Sequence, residues 1–310
     1  MKNKNILVTG GLGFIGSHIV DELIENNSVI IIDNKSTGKI ENLKTPDHPN
    51  LTILEKDIND IDLENVLSDI DYVFHLAAMA SVPLSIDNPI ECNKVNVDAT
   101  IKLLNACKIN NVKKIVFSSS AAVYGDNKNL PIKETEPLLP NSPYAASKAC
   151  CELYLKAFYN SYSMNYTILR YFNVFGPKQD KNSQYAAVIP NFISSLLEEK
   201  QPIIYGEGEQ TRDFVFIKDV VDANIAACES NFNGVVNVAS GKEITINELY
   251  KVICEILEMD VDIKYLPARK GDIKHSVADV TNLKKINCEI DFNEFNNQLK
   301  QTVQWFEKIL

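Results

Sequence analysis

The sequence predicts an α/β protein of the Rossmann type, a doubly wound parallel sheet with a smaller mixed α/β lobe at its C-terminal end. Three observations carry this. Short apolar runs alternate with longer amphipathic ones as far as Arg170, a glycine-rich turn separates the first strand from the first helix, and the alternation loosens afterwards.

The elements follow in order. Ile6-Leu7-Val8 reads as a buried strand and Phe14 to Glu25 as a helix; Val29 to Ile32, Leu51 to Leu54 and Tyr72 to His75 read as three further strands. A long helix is expected from Pro89 to Lys108, then a strand from Lys114 to Ser118, a helix from Tyr144 to Tyr162 and a strand from Tyr166 to Arg170. Beyond this, strands shorten (Pro202 to Tyr205, Asp213 to Phe216, Val235 to Val238, Val261 to Tyr265) between helices at Ala187 to Glu199, Asp219 to Glu229, Thr245 to Glu258 and Asn293 to Leu310. We therefore expect a dinucleotide-binding unit over 1–172 and a substrate lobe over 173–310. Segments near 205–240 should return to the main sheet, and the ligands should lie in the cleft between the two.

With 310 residues, 45% of them hydrophobic, the chain can bury a large core. Its net charge is −10 and it has no Lys/Arg block, which argues against nucleic-acid binding. The seven cysteines are scattered, odd in number and without a Cys-x-x-Cys pair, as expected of inert thiols in a reducing compartment. His18, His48, His75 and His275 have no ligand-like spacing, so no metal is expected. No signal peptide and no run of eighteen apolar residues is present, and the expectation is a soluble cytoplasmic protein without membrane contact.

The first strand runs into Thr9-Gly10-Gly11-Leu12-Gly13-Phe14-Ile15-Gly16, which opens the first helix. Gly10 and Gly13 let the backbone turn and approach a pyrophosphate, Gly16 permits close helix–strand packing, and the helix N-terminus offers unpaired amides and positive dipole. Asp33 ends the second strand, seventeen residues after Gly16. A carboxylate there accepts from both adenosine ribose hydroxyls and repels a 2′-phosphate, which favours NAD over NADP, although Lys35 nearby pulls the other way. Asp57-Ile58 after the third strand could meet the adenine; an ordinary strand-end turn residue is an equal reading of Asp57.

The strand from Lys114 ends in Ser118-Ser119-Ser120-Ala121-Ala122-Val123-Tyr124-Gly125, and Ser142-Pro143-Tyr144-Ala145-Ala146-Ser147-Lys148 opens the next helix. Tyr144 and Lys148 lie one turn apart on the same helical face, so the ammonium can lower the phenol's pKa. A phenol near 10 is a poor base at neutral pH, whereas a tuned one accepts a proton well. A serine at the end of a parallel strand can reach the same substrate hydroxyl.

With these motifs the chain resembles the extended short-chain dehydrogenase/reductases, specifically the UDP-glucose and UDP-N-acetylglucosamine 4-epimerases, almost from end to end. The resemblance spans Gly10–Gly16, Asp33-Asn34-Lys35-Ser36-Thr37-Gly38, His75-Leu76-Ala77-Ala78, Asn96, Ser118–Ser120 and Tyr144-x-x-x-Lys148. It continues through Arg170-Tyr171-Phe172-Asn173-Val174-Phe175-Gly176, Arg212-Asp213-Phe214 and Arg269-Lys270-Gly271-Asp272. It implies Tyr144 as base, Lys148 as holder of the nicotinamide ribose and Ser120 as partner in proton transfer. Phe14, Ile15, Asn34, Ser36, Thr37, Gly38, Ile58, Leu76, Ala77, Ala78, Asn96, Ser118 and Tyr171 would join Gly10, Gly13, Gly16, Asp33 and Asp57 around NAD. Asn173, Arg212, Arg269 and Asp272 would hold the nucleotide diphosphate and its ribose. Two arginines with forked hydrogen bonds suit a diphosphate in an acidic protein. Ser81, Val188, Tyr205 and Ser276 would complete the UDP-sugar site.

Related 4,6-dehydratases carry carboxylates at the positions of Ala121 and Ala122, and the similar glucuronate decarboxylases carry a Glu at that of Ala122. Alanines transfer no protons, which leaves oxidation of C4, rotation of the 4-keto sugar and return of hydride to its other face. The stretch Gln179-Asp180-x-x-Ser183-x-Tyr185-Ala186-Ala187-Val188-Ile189-Pro190 is similar to the branch acting on N-acetylated UDP-hexoses. Ser276 leaves room beside the sugar C2. UDP-GlcNAc/UDP-GalNAc and UDP-glucose/UDP-galactose are thus the expected substrates. The uncharged Met79-Ala80-Ser81 argues against a uronic acid. The alternatives are a UDP-glucuronate 4-epimerase, a plain nucleotide-sugar dehydrogenase and a catalytically inactive sugar-nucleotide sensor. The family also implies a homodimer through the Pro89–Lys108 and Tyr144–Tyr162 helices.

Overall fold

Strand β1 (Asn5–Thr9) is an interior strand of a seven-stranded sheet, and helix α1 (Phe14–Leu23) packs against it. The computed structural model describes residues 1–180, 187–268 and 273–310. The chain continues through β2 (Ser28–Asp33), β3 (Leu51–Glu55), α2 (Leu63–Val66), β4 (Tyr72–His75), α3 (Val82–Asp87), α4 (Pro89–Asn93) and α5 (Ala99–Ile109). It then forms β5 (Lys114–Ser120), α6 (Pro143–Tyr162), β6 (Tyr166–Tyr171), β7 (Asn173–Phe175), α7 (Val188–Leu197), β8 (Ile203–Tyr205), β9 (Thr211–Arg212) and β10 (Phe214–Phe216). Last come α8 (Ile217–Glu229), β11 (Gly234–Val238), β12 (Ile244–Thr245), α9 (Ile246–Leu257), β13 (Lys264–Leu266) and α10 (Phe295–Ile309).

The main sheet has the order β11-β6-β5-β4-β1-β2-β3, and every pairing in it is parallel. β1 has β2 on one side and β4 on the other, so the direction of winding reverses there and opens a crevice at the C-terminal strand ends. One apolar layer, with Ile19, Val20 and Val220, packs α1 and α8 on one face. A second, with Leu103, Leu104 and Leu155, packs α5 and α6 on the other. Both faces are thereby covered, which is why the strands read as continuous apolar runs. The smaller lobe has its own core of Phe175, Phe192, Phe214, Phe295 and Phe306. Three two-stranded pairings, β7 with β10, β8 with β13 and β9 with β12, frame it.

The expected helix from Pro89 to Lys108 is divided. Between α4 and α5 the residues Lys94–Asp98 form a π turn, which puts one extra residue into the helical path and turns Asn96 inward. The strand expected at Val261 to Tyr265 is instead Lys264–Leu266, set by pairing with Ile203–Tyr205. Helices α2 and α3 and strands β7, β9 and β12 were not anticipated, because elements of two to six residues carry no readable period.

Candidate active site

Two glycines fix the floor of the crevice. Gly10 has φ +69°, and a Cβ there would stand 2.8 Å from the Ala77 nitrogen; at Gly16 it would stand 2.1 Å from the Gly10 carbonyl oxygen. The loop from β1, the segment after β4 and the start of α1 can therefore meet only as glycines. Gly13 caps α1 without a side-chain hydrogen bond, and the first turn of the helix has no acidic residue. Its amides face a cleft of about 310 Å³ with no side chain to satisfy them, a cradle that fits a diphosphate.

Of the residues expected around the cofactor, Gly10, Gly13, Phe14, Ile15 and Gly16 line this cleft from one side, and Asp33, Asn34, Ser36, Thr37, Asp57 and Ile58 from another. Leu76, Ala77, Ala78, Ser118, Tyr144, Lys148 and Tyr171 complete the wall. Gly38 and Asn96 do not line it. A Cβ at Gly38 would stand 2.8 Å from the Leu12 Cβ and 2.9 Å from Asp33 Oδ2 and push the loop away. Asn96 acts behind the wall: its Oδ1 accepts the Met79 amide at 2.7 Å and its Nδ2 donates to Ser147 Oγ at 2.8 Å. Ile32, Lys56, Ala80, Val95 and Ser119 also line the cleft and were not anticipated. Each is a sequence neighbour of a residue that was, and only three-dimensional curvature tells which neighbour faces inward.

The Asp33 carboxylate is oriented by two backbone donors, the amides of Leu12 at 3.0 Å and Lys35 at 2.8 Å. Lys35 points elsewhere: its ammonium pairs with Glu55 at 2.7 Å. The local charge at this corner of the cleft is thus that of the carboxylate, which would repel a phosphate placed beside it. Asp57 accepts the Asn59 amide at 2.8 Å as a turn residue does, accepts Asn34 Nδ2 at 3.0 Å, and also lines the cleft.

At the other end of the cleft, Ser142 caps α6, accepting the Ala145 amide at 3.2 Å, and Pro143 supplies the fixed φ of the first turn. Tyr144 follows at once, its amide donating to Ser85 Oγ at 3.0 Å and its carbonyl accepting from Ser147 Oγ at 2.8 Å. Ser120 ends β5, takes the Ala122 amide at 3.2 Å and stands beside the Tyr144 phenol. Burial raises the phenol above its ordinary value, the Ser120 hydroxyl lowers it, and Cys92 raises it. Burial brings Lys148 down to about 8. Lys148 makes its own hydrogen bond on the neighbouring strand. Its Nζ donates to the Ser118 carbonyl at 2.7 Å and lies 4.8 Å over the Phe117 ring.

The residues expected around the sugar nucleotide are placed less tightly. Ser81 caps α3, accepting the Leu84 amide at 3.3 Å. Asn173 opens β7, its amide donating to the Asp213 carbonyl at 3.0 Å. Val188 begins α7, Tyr205 ends β8, Arg212 ends β9, and Ser276 lies two residues before buried Ala278; all four are half-buried. Apart from Tyr144, none of these residues lines the cleft described above. Arg269 and Asp272 lie outside the described residues, as do Ser183, Tyr185 and Ala186.

Two features of this region gave no sequence signal as to role. Asp213, fully buried, gathers the amides of Ser240 (2.8 Å), Gly241 (3.1 Å) and Ala278 (3.1 Å) and the Ser240 hydroxyl (2.7 Å), which ties the loop after β11 to the segment carrying Ser276. Burial outweighs these bonds and pushes its carboxyl up to about 6. Behind the serine strand, Glu152 accepts from Ser119 Oγ at 2.5 Å and from Arg170 Nη2 and Nε at 2.5 and 3.0 Å. Among the described residues no cluster of three or more His, Cys, Asp or Glu side chains could hold a metal, and no helix is long and apolar enough to cross a membrane.

The chain is similar to known proteins over most of its length. Residues 6–239 match the model of the NAD dependent epimerase/dehydratase family. The UDP-glucose 4-epimerase of Mycolicibacterium smegmatis is 36% identical over 286 residues, covering 90% of this chain and 91% of that protein. Among solved structures, the UDP-N-acetylglucosamine 4-epimerase of Methanobrevibacter ruminantium, in complex with UDP-N-acetylmuramic acid, is 60% identical, covers all of both chains and superposes with a TM-score of 0.99. The UDP-glucose 4-epimerase of Thermotoga maritima, with UDP-glucose, is 42% identical over 98% of this chain and 99% of that one, with a TM-score of 0.93.

Proposed function

Because the chain belongs to the NAD dependent epimerase/dehydratase family, we propose that it inverts C4 of a UDP-hexose through a 4-keto sugar, with UDP-GlcNAc/UDP-GalNAc, and UDP-glucose/UDP-galactose beside them, as substrates. The observation that carries the reading is that Tyr144 and Lys148, with Ser120 beside them at the end of β5, close a cleft whose far wall is the α1 N-terminus. Bound NAD supplies a reversible two-electron acceptor. The chain's own residues do the rest. The Tyr144 phenolate takes the C4 hydroxyl proton, and the phenol so formed gives it back after the sugar has turned, with Ser120 holding the same oxygen. Lys148, freed from Ser118 to reach the cofactor ribose, supplies the positive charge that an anionic phenol requires. The α1 amides bind the dinucleotide phosphates and Asp33 its ribose. Asn173, Arg212, Arg269 and Asp272 bind the UDP moiety, with Ser81, Val188, Tyr205 and Ser276 around it.

Ala121 and Ala122, beside Ser120, offer no group for elimination or decarboxylation, so a keto sugar formed here is reduced again. The likeness to an enzyme named for UDP-N-acetylglucosamine supports an N-acetylated substrate, and so does the small side chain of Ser276. A proton NMR time course with UDP-GlcNAc, UDP-glucose and UDP-glucuronate in parallel tests the reading. The anomeric signal of the C4 epimer should grow with the first two. Turnover of UDP-glucuronate alone, or of none, overturns it.

We further infer a homodimer, built on α3, α4 and α6. Ile86, Ile90 and Leu153 on these helices are 58%, 85% and 61% exposed, an apolar surface that a second copy would cover. All seven cysteines are free, which suits a reducing, cytoplasmic setting.

A further inference from the structure

His75 ends β4 fully buried, with hydroxyls on both ring nitrogens: Thr9 Oγ1 lies 2.7 Å from Nδ1 and Thr100 Oγ1 2.9 Å from Nε2. The proton positions follow from counting. Thr100 Oγ1 lies 2.5 Å from the Asn96 carbonyl, which can only accept, so the threonine proton goes there. Toward His75 the same oxygen must accept, and Nε2 carries the hydrogen. Thr9 Oγ1 receives the amides of Leu76 and Ala77, both at 3.2 Å. Its own proton then has one acceptor left, the bare Nδ1. The opposite tautomer gives Thr9 three donors and leaves its proton without an acceptor, while two lone pairs face each other at Thr100.

From Asn96 the chain of bonds continues to Ser147 and on to the Tyr144 carbonyl. Leu76 and Ala77 line the dinucleotide cleft, and Tyr144 and Lys148 close it. We infer that His75 is a positioning residue, an imidazole carrying its single proton on Nε2, that fixes the Leu76–Ala77 backbone against the dinucleotide cleft and ties it through Thr100 and Asn96 to the first turn of α6. It touches neither substrate nor cofactor. A charged ring would turn a second N–H against Thr9 Oγ1 and force that hydroxyl to let go.

The surroundings keep the ring neutral. Phe117 of β5 packs against it at 5.6 Å between centroids, and Lys148 of α6 opposes a second positive charge. The Cys151 thiol, also of α6, has Thr100 Oγ1 at 3.5 Å and the Asn96 carbonyl at 3.3 Å within reach of its single S–H, and brings no negative charge. Burial first, then Lys148, lowers the imidazole to about 3.

The consequence for the cofactor rests on the reading of the cleft as an NAD site; the tautomer does not. The test therefore has two arms on the full chain. In the first, ¹⁵N-histidine labelling with two-bond ¹H–¹⁵N correlation reads the tautomer, with the His75 signal identified by its loss in His75→Gln. An Nε2–H pattern unchanged from pH 8 to pH 5 is expected; an Nδ1–H pattern, or titration within that range, overturns the inference whether or not NAD binds. In the second, calorimetry measures NAD affinity. His75→Gln, which offers one acceptor and one donor and cannot charge, should stay within about threefold of the unchanged chain. His75→Phe and Thr9→Val should each lose about tenfold or more, the order expected when a buried amide loses its acceptor. Unchanged affinity in both removes the positioning role. Absence of NAD binding by the unchanged chain counts against the cofactor reading alone, since the first arm still decides the state of His75.

Discussion

The Nζ of Lys148 donates to the carbonyl oxygen of Ser118 at 2.7 Å, so the ammonium on α6 is anchored to the end of β5 and not to the phenol one turn before it. In this state the lysine is desolvated, and burial brings it down from its ordinary value to about 8. A lysine is charged below its pKa. Any step that uses its charge is therefore fully supported below about 8 and fades as the pH rises through it. We expect an alkaline limb near that value in the pH profile of kcat/KM for epimerisation. Lys148→Arg, which stays charged across the range, should remove the limb even where it lowers the rate. A limb unaltered in that variant would assign the titration to another group.

Tyr144→Phe should keep the fold and the NAD affinity and lose about 10²-fold or more in rate. The ring still fills its place, and the bonds that seat the residue, to Ser85 and Ser147, come from its backbone. Near-normal turnover in this variant would remove the phenol from the mechanism. A parallel loss of NAD binding would show that the hydroxyl contributes to holding the cofactor.

The pair behind the serines predicts a stability effect distinct from chemistry. Glu152 and Arg170 are each 4% exposed in their side chains, and the carboxylate also receives Ser119. Glu152→Ala leaves a guanidinium buried without its partner, a loss on the order of 3–5 kcal/mol. Glu152→Met combined with Arg170→Met should recover a large part of it, because the desolvation cost leaves with the charges. Urea denaturation of the two variants checks the sign. A double variant less stable than Glu152→Ala would mean that the pair is more than self-compensating.

The main sheet was legible because its inner strands are buried on both faces and leave uninterrupted apolar runs, as at Ile6-Leu7-Val8. The cofactor wall was legible because glycines at fixed places have few other uses. What was hidden is what depends on partners far apart in sequence. The π turn at Lys94–Asp98 looks like ordinary helix until Asn96 is seen bonded to Met79 and Ser147. The Lys148 ammonium was expected beside the phenol on spacing alone, but spacing fixes the helix face and not the acceptor, and the Ser118 carbonyl on the neighbouring strand end wins. Asp213 sits inside a recognised motif, yet its use as a knot for three loop amides needs the loops in place. The position of Ser276 gives the size of a side chain but not the width of the pocket it borders.

Acid should weaken the fold partly through His75. Its folded-state value of about 3 lies below the ordinary 6.5, so the unfolded chain takes up a proton that the folded chain refuses. The stability this group contributes is complete above 6.5 and is lost as the pH falls towards 3, amounting to about 2–3 kcal/mol at pH 4.5. Asp213 and Asp219, both raised to about 6 by burial, act in the opposite sense, since their folded carboxyls bind protons more readily than unfolded ones. The overall slope mixes these effects, so the comparison must be between variants. His75→Gln should lose less stability between pH 7 and pH 4.5 than the unchanged chain does, measured by urea denaturation at each pH. Equal losses would mean that His75 charges within the folded protein.

The exposed apolar face gives the last prediction. Ile90, at 85% exposure, stands on α4 next to the π turn, and Leu153, at 61%, stands on α6 one turn and a half beyond Lys148. Burying such side chains against a second copy contributes about 1.5–3 kcal/mol each, and a carboxylate placed among them must be desolvated instead. Ile90→Glu together with Leu153→Glu should therefore shift the chain from dimer to monomer in sedimentation velocity at micromolar concentration. Since α6 also carries Tyr144 and Lys148, and α4 runs into the turn that holds Asn96, separation of the copies should lower NAD affinity as well, by loosening the helix ends that close the cleft. A variant that remains a dimer would place the interface elsewhere. A monomer with unchanged NAD affinity would keep the interface but uncouple it from the site.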